Sequence, residues 1–352
     1  MPPRDLPGLL LVNLGTPDAP HPAAVRRYLR EFLSDPRVLD LPAALRWLVL
    51  NLFILPLRPR RSARAYAKIW SERGSPLVFH GLDLAAKVQS RLGAAAVVRL
   101  AMRYGRPSIA EAIDGFHREG VRRLVVFPLY PQHSAAATGS SIERVFAEAS
   151  RRWNVPYLHV VPPFFDDPRY IAAMAESAAP LLREVDPELV FFSFHGLPQS
   201  QIRKSDRRGG YCLAAADCCA RAAVENPGAL GDCYRAQCLT TARLLADALG
   251  VPPERRLVCF QSRFSPRWIR PFTDVEIRAA ARRGVKRALV ISAAFVADCL
   301  ETIEEIGLRA ADDWRANGGD TLRLVPSLNA RDAWAEAVVA IARDASRWLA
   351  ER

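Results

Sequence analysis

The sequence predicts an α/β protein of two similar doubly wound halves, each on a four-stranded parallel sheet. Two observations carry this: short, mostly apolar runs alternate with longer amphipathic stretches, and several motifs recur in the same order in the second half of the chain. Continuous apolar runs of four or five residues read as strands buried on both faces, as in parallel sheets covered by crossover helices.

Eight apolar runs are present, three of them broken by a single polar residue, Arg99, His159 or Arg323. Those at 9–12, 97–101, 124–127 and 158–161 fall in the first half, and those at 189–192, 257–260, 288–291 and 322–325 in the second. LLLVNLGTP (9–17) matches LVFFSFHGLP (189–198), each a strand closed by Gly-x-Pro, a pairing that sets a tight turn. MRYGRP (102–107) pairs with SRFSP (262–266), and GVRRLVVFP (120–128) with GVKRALVIS (284–292). So long a period suits two domains rather than a solenoid. The expected division is a first lobe over 1–165, a second over 166–329 and a C-terminal helix over 330–352, the lobes facing a central cleft. Ligands of doubly wound sheets bind beyond the carboxyl ends of the strands. That directs attention to Asn13 and Leu14, Arg103 and Tyr104, 130–133, His195, Arg263 and 295–305.

Half of the 352 residues are hydrophobic and 24% are charged, a balance that builds a core and excludes general disorder. The net charge of +12 favours anionic partners. Basic residues come in short groups such as Arg58, Arg60 and Arg61, without a nucleic-acid-binding module, so nucleic acid is disfavoured. The N-terminus lacks the layout of a signal peptide, which leads us to expect a cytoplasmic protein. Its most apolar stretch, WLVLNLFILPL (47–57), is half the roughly 20 residues needed to cross a bilayer. Seven cysteines in such a chain do not suggest a disulfide framework.

Three constellations carry chemistry. His195 follows a strand and precedes a glycine that allows close approach; its imidazole suits proton acceptance or metal ligation, with a structural bond in the seam between lobes as the alternative. Glu301 and Glu305, four apart in FVADCLETIEEIG (295–307), would share a helical face at the same sheet end, whereas Glu304 reads as a solvent-facing charge favoured by the helix dipole. A histidine facing carboxylates suits a divalent cation or proton transfer. Cys212, Cys218, Cys219, Cys233 and Cys238 crowd one Gly- and Ala-rich segment, a donor set for zinc or an iron–sulfur cluster, while Cys259 and Cys299 read as core residues. Gly139, Ser140 and Ser141 open a helix without P-loop or dinucleotide spacing, so helix capping is expected there.

From about residue 9 to 329 the ordered motifs LVNLGTP, YAKIW…GSPL, AMRYG, PLYPQHSAAATGSS, SFHGLP, FQSRF…RWIRPFTD and FVADCLETIEEIG resemble the ferrochelatases. The resemblance implies a chelatase-like pair of Rossmann-like lobes that inserts Fe²⁺ into protoporphyrin IX at the last step of haem synthesis. Two pyrrole protons are released, and no nucleotide or organic cofactor is used. It casts His195 as metal ligand or proton acceptor, Glu301 as the facing carboxylate and Glu305 as a second proton-moving acid, and puts Leu14, Tyr66, Arg103, Tyr104, His133 and Trp268 on porphyrin-lining positions.

This chain has Cys299 where some relatives have histidine, and His133 where some have an aromatic residue. The insertion at 207–238 looks like that of bacterial ferrochelatases with an internal [2Fe-2S] cluster, on Cys218, Cys219, Cys233 and Cys238 with Cys212 as the alternative. Segment 38–64 matches the pocket lip, whose apolar and arginine residues suit peripheral contact with an anionic membrane surface. A monomer or homodimer is expected. Three alternatives stand beside this reading: a coproporphyrin ferrochelatase, a cobalt chelatase of the same fold, and a non-catalytic tetrapyrrole or metal carrier, which would need no paired His195 and Glu301.

Overall fold

The computed structural model describes residues 6–225 and 228–349. The chain divides into two compact units, one made of residues up to Tyr130, 135–163 and those from Asn329 onward, the other of 131–134 and 164–328. The expected lobe boundaries are thus crossed twice. Residues 131–134 belong with the second unit, and the C-terminal helix Asp332–Ala345 packs in the first, where Asp332 pairs with Lys87 and Arg91 of the helix Pro76–Leu92. Of the span 330–352 expected to be helical, residues 350–352 lie outside the described residues.

All eight apolar runs are strands. The first unit holds β1 (Pro7–Thr16), β2 (Val97–Gly105), β3 (Arg123–Pro128) and β4 (Tyr157–Val160), the second β5 (Leu189–His195), β6 (Arg256–Gln261), β7 (Arg287–Ile291) and β8 (Thr321–Leu324). The sheets run β2-β1-β3-β4 and β6-β5-β7-β8, every pairing parallel. In each, the chain leaves an inner strand, winds to one side, then reverses to the other. The carboxyl ends of β1 and β5 are therefore the switch points at which this class of sheet opens toward ligand. Leu9 to Val12 of β1 and Phe191, Phe192 and Phe194 of β5 have no exposed surface. Each such side chain contributes roughly 1.5–3 kcal/mol on burial.

The repeat needs one correction. Met102 N–H donates to the Pro107 carbonyl at 2.6 Å, and Phe260 N–H to the Pro271 carbonyl at 2.8 Å. The counterpart of Pro107 is therefore Pro271, not Pro266. The loop after β6 is longer than that after β2, so the nearest proline in the sequence is the wrong one.

Two further elements differ from expectation. LETIEE does not lie on a regular α-helix: Leu300–Ala310 is a π-helix that passes into the α-helix Ala311–Ala316. Cys299 caps it, its sulfur accepting from Thr302 N–H while Thr302 Oγ1 accepts from Cys299 N–H. A π-turn of this kind is frequent at functional sites. Ser140 opens the helix Ser140–Ser150, but no side chain caps that helix and both serines are fully buried in other bonds.

Among the described residues, no helix is long and apolar enough to cross a membrane. The 47–57 stretch spans Ala43–Leu48, the π-turn Val49–Ile54 and the start of Leu55–Ile69. It leaves Trp47 (63%), Phe53 (58%) and Leu57 (74%) exposed.

Candidate active site

His195 is the last residue of β5, in the second unit. Its main chain is held on three sides: it pairs with Gln261 of β6, its carbonyl accepts from the Tyr234 hydroxyl at 2.9 Å, and the next N–H, of Gly196, donates to the Gln261 carbonyl at 2.8 Å. Gly196 is required for this approach, since a Cβ there would stand 2.9 Å from that carbonyl oxygen and 3.0 Å from the Trp268 ring. The imidazole Nδ1 lies 2.6 Å from the Gly196 carbonyl oxygen. A carbonyl only accepts, so Nδ1 carries the proton and the Nε2 lone pair is left for chemistry. Trp268 and Phe295 flank the ring at 6.1 and 6.2 Å between centroids.

The carboxylates come from the π-helix. The Glu301 carbonyl accepts from Gln261 Nε2 at 2.7 Å, so the side chain that closes β6 also anchors the helix. Glu305 accepts two bonds from Ser262, from N–H at 2.8 Å and from Oγ at 2.6 Å. Burial pushes its carboxyl above the ordinary glutamate range, against the Ser262 bonds and the positive charge of Arg309. Ser262 holds this contact with φ at +62°, in the left-handed region that a serine adopts at a cost. Glu304 is not solvent-facing: it is buried and paired with Arg309 at 3.4 Å. Cys299 is buried as expected of a core residue, but its thiol also hydrogen-bonds Glu301, and burial and then the Glu301 charge hold it protonated.

In the first unit, Arg103 and Tyr104 converge on a carboxylate that sequence reasoning missed. Asp35 Oδ2 accepts from Arg103 Nη2 at 2.7 Å, Tyr104 Oη at 2.9 Å and Ser140 Oγ at 2.5 Å, and Oδ1 from Arg37 N–H at 2.7 Å. Burial raises the Asp35 carboxyl, yet these four donors and the Arg103 charge outweigh it and hold it below the usual range. Tyr104 is wholly buried, its ring edge-on to Phe32 at 5.0 Å, so it supports neighbouring surface rather than forming it. Tyr66 is buried beside Trp70, and Leu14 is partly exposed one residue before Gly15. At Gly15, φ is +117° and any Cβ would collide with the Tyr104 carbonyl. His133, in the second unit, donates its N–H to Gln237 Oε1 at 2.6 Å; burial, against the nearby Asp232, lowers its imidazole from the ordinary value.

The profile of the ferrochelatase family matches residues 7–346. The chain belongs to the ferrochelatase family. It is 42% identical to a ferrochelatase of Coxiella burnetii (strain Dugway 5J108-111) over 337 residues, 96% of this chain and 93% of that one. It is 47% identical to one from Azotobacter vinelandii over 336 residues, 95% of this chain and 98% of the relative. Among solved structures the fold is similar to that of SirB from Bacillus subtilis with Fe³⁺, with a TM-score of 0.54 at 12% identity over 97% of this chain and 95% of that one. It is also similar to the sirohydrochlorin chelatase SirB of Bacillus subtilis subspecies spizizenii in complex with cobalt (TM-score 0.52, 12% identity, 97% and 96% coverage). Family membership makes the chain an enzyme of metal insertion into porphyrin, with Fe²⁺ as a substrate.

Beyond the features of the ferrochelatase family named so far lies the cysteine segment. Cys212 and Cys219 thiols both hydrogen-bond Cys233, and the Cys218 and Cys219 sulfurs are 3.9 Å apart. Donors surround them: Leu213 N–H reaches Cys218 Sγ at 3.4 Å and Arg235 Nη1 reaches Cys219 Sγ at 3.2 Å. The Cys219 bond, against burial, and main-chain N–H groups of Ala236 and Arg235 bring Cys233 down to about 6, while burial pushes Cys212 up to about 12. The Cys238 thiol is fully buried and bonded to Tyr234. Among the described residues, no three His, Cys, Asp or Glu side chains stand arranged to hold a metal ion.

Proposed function

We propose that this chain inserts Fe²⁺ into protoporphyrin IX, and that the reaction centres on His195, Glu301 and Glu305. The observation that carries this assignment is the Nδ1 bond of His195 to the Gly196 carbonyl, which leaves Nε2 as a lone-pair donor, with the Glu305 carboxylate of the π-helix close enough to feel the imidazole. Insertion replaces two pyrrole N–H bonds with metal–nitrogen bonds, so two protons must leave. His195 Nε2 is suited either to take one or to hold the incoming iron with Glu301. Glu305, whose proton affinity burial raises, is suited to carry a proton away. Trp268, Leu14, Tyr66, Arg103 and His133 would supply apolar walls and charge for the macrocycle, with Tyr104 positioning Arg103 through Asp35.

We extend the proposal to a [2Fe-2S] cluster on the cysteine segment. The donor chemistry fits: Cys212 and Cys219 each bond Cys233, Cys218 lies 3.9 Å from Cys219, Cys233 has a depressed proton affinity, and N–H groups point at the sulfurs as they do around clusters. These contacts support Cys212, Cys218, Cys219 and Cys233, with Cys212 in place of Cys238. Bound there, a cluster would cross-link residues 212–233. The exposed Trp47, Phe53 and Leu57, followed by Arg58, Arg60, Arg61 and Arg64, support peripheral binding to an anionic membrane surface.

The test is an anaerobic, reducing assay of haem formation from Fe²⁺ with protoporphyrin IX and coproporphyrin in parallel. The expected result is turnover of protoporphyrin that Glu301→Gln and His195→Ala each slow by about 10²–10⁴-fold. No haem from either porphyrin, or equal rates for wild type and variants, would overturn the assignment.

A further inference from the structure

A pocket of about 250 Å³ in the second unit is built from parts the chelatase chemistry does not use. Arg203 and Gln199, of the helix Gln199–Lys204, line it together with Arg235 and Arg270. The backbone between Cys212 and Cys218 completes it, with Leu213 held at φ +63°, a conformation that leucine rarely adopts.

Among the described residues, none of the three guanidinium groups meets a carboxylate. Arg203 donates to the Gln199 side-chain oxygen at 3.3 Å, Arg270 lies over the Phe272 ring at 4.6 Å, and Arg235 reaches the Cys219 sulfur and, at 3.5 Å, the Ala216 carbonyl. Elsewhere in this unit arginines are paired: Arg263 and Arg278 both hold Asp274, and Arg323 holds Glu184. Three unneutralised cations in one concavity repel one another and focus a positive potential into it. Planar guanidinium forks match the oxygens of carboxylate and phosphate groups in pairs. The volume is that of about eight waters at roughly 30 Å³ each, room for a small polyanion but below the roughly 300–1,000 Å³ of pockets that hold drug-sized ligands.

We propose that Arg203, Arg235 and Arg270, with Gln199, form a binding site for a small multivalent oxyanion, a phosphate or a polycarboxylate, separate from the His195 site. The inference rests on this pocket alone and not on the chelatase reading. Occupancy replaces like-charge repulsion with paired forks, so the anion stabilises the fold and competes with the Cys219 sulfur for Arg235.

The experiment is calorimetric titration of the purified, as-isolated protein with inorganic pyrophosphate and, separately, citrate, the two arms distinguishing phosphate from carboxylate ligands. Wild type, Arg203→Ala, Arg270→Lys and the control Arg183→Ala are compared. Arg183 lines a different pocket, beside Glu176. One-site binding of at least one anion is expected, weakened at least tenfold in Arg203→Ala and Arg270→Lys, unchanged in Arg183→Ala, and accompanied by a rise in melting temperature that the first two variants lose. Failure of both anions to bind wild type, equal affinity in all four proteins, or displacement of the bound anion by protoporphyrin would each overturn the proposal. The last result would assign the guanidinium groups to the porphyrin propionates.

Discussion

Asp35→Asn tests the buried network that holds Arg103 and Tyr104. The substitution keeps shape and one acceptor but removes the charge and turns an NH₂ group toward donors. The Arg103 and Asp35 side chains are 13% and 4% exposed, so water cannot take over the broken bonds. Removing one partner of a buried ion pair costs about 3–5 kcal/mol, and the acceptor that asparagine retains argues for the lower end, about 3 kcal/mol. In a domain of 150–250 residues, each kcal/mol moves the melting temperature by about 2–4 °C, so a fall of about 6–12 °C is expected at pH 7. The pH dependence has a defined sign. The folded carboxyl titrates below its unfolded value of about 3.9, so the contribution is complete above that value and is lost as pH falls through the folded one. The gap between wild type and Asp35→Asn must therefore narrow below about pH 4. Thermal melts followed by circular dichroism at pH 7 and pH 3.5 measure it, with the exposed Asp114→Asn as control. A midpoint within about 2 °C of wild type at pH 7, where about 6–12 °C is expected, or a gap that persists undiminished at pH 3.5, would refute the reasoning.

Four further outcomes are expected. His195→Ala removes the Nε2 lone pair and should lower kcat for haem formation by about 10²–10⁴-fold; a loss under tenfold would move the chemistry elsewhere. Glu305 must be ionised to accept a proton, and Ser262 Oγ stabilises that ionised form, so Ser262→Ala should carry the acidic limb of the pH–rate profile to higher pH. A limb that moves down, or stays, contradicts the assigned role. Cys212→Ser should abolish visible cluster absorption and about two bound irons per chain, while Cys238→Ser keeps both; the reverse pattern would restore Cys238 to the ligand set. Replacing Trp47 and Phe53 by serine should reduce sedimentation with phosphatidylserine-containing vesicles, and unchanged binding would remove the lip from the membrane contact.

Much of the candidate site was readable from residue order because its parts sit at strand ends. His195 is recognisable after the apolar run of β5, and Glu301 and Glu305 after that of β7, since in a doubly wound sheet the chain itself marks where the ligand edge lies. Asp35 was not legible: it occupies an ordinary turn, and its importance comes from Arg103, Tyr104 and Ser140, far along the chain. Ser140 and Ser141 were read as helix caps for the same reason, their actual partners being Asp35 and Tyr130. Ser262 carries a faint signal in its place directly after β6, but its left-handed backbone cannot be seen in a one-letter code.

Local order in the chain determined the eight strands, their grouping into two like halves and the chemistry available at their ends, because burial on both faces imposes an apolar run that needs no knowledge of neighbours. Tertiary structure alone decided which sulfurs meet, which nitrogen of His195 carries the proton, that the LETIEE segment winds as a π-helix, and that Glu304 turns inward to Arg309. Those are matters of distance between residues separated in sequence. Hydrogen bonds and ion pairs fall off within a few ångströms, so only the folded chain specifies them.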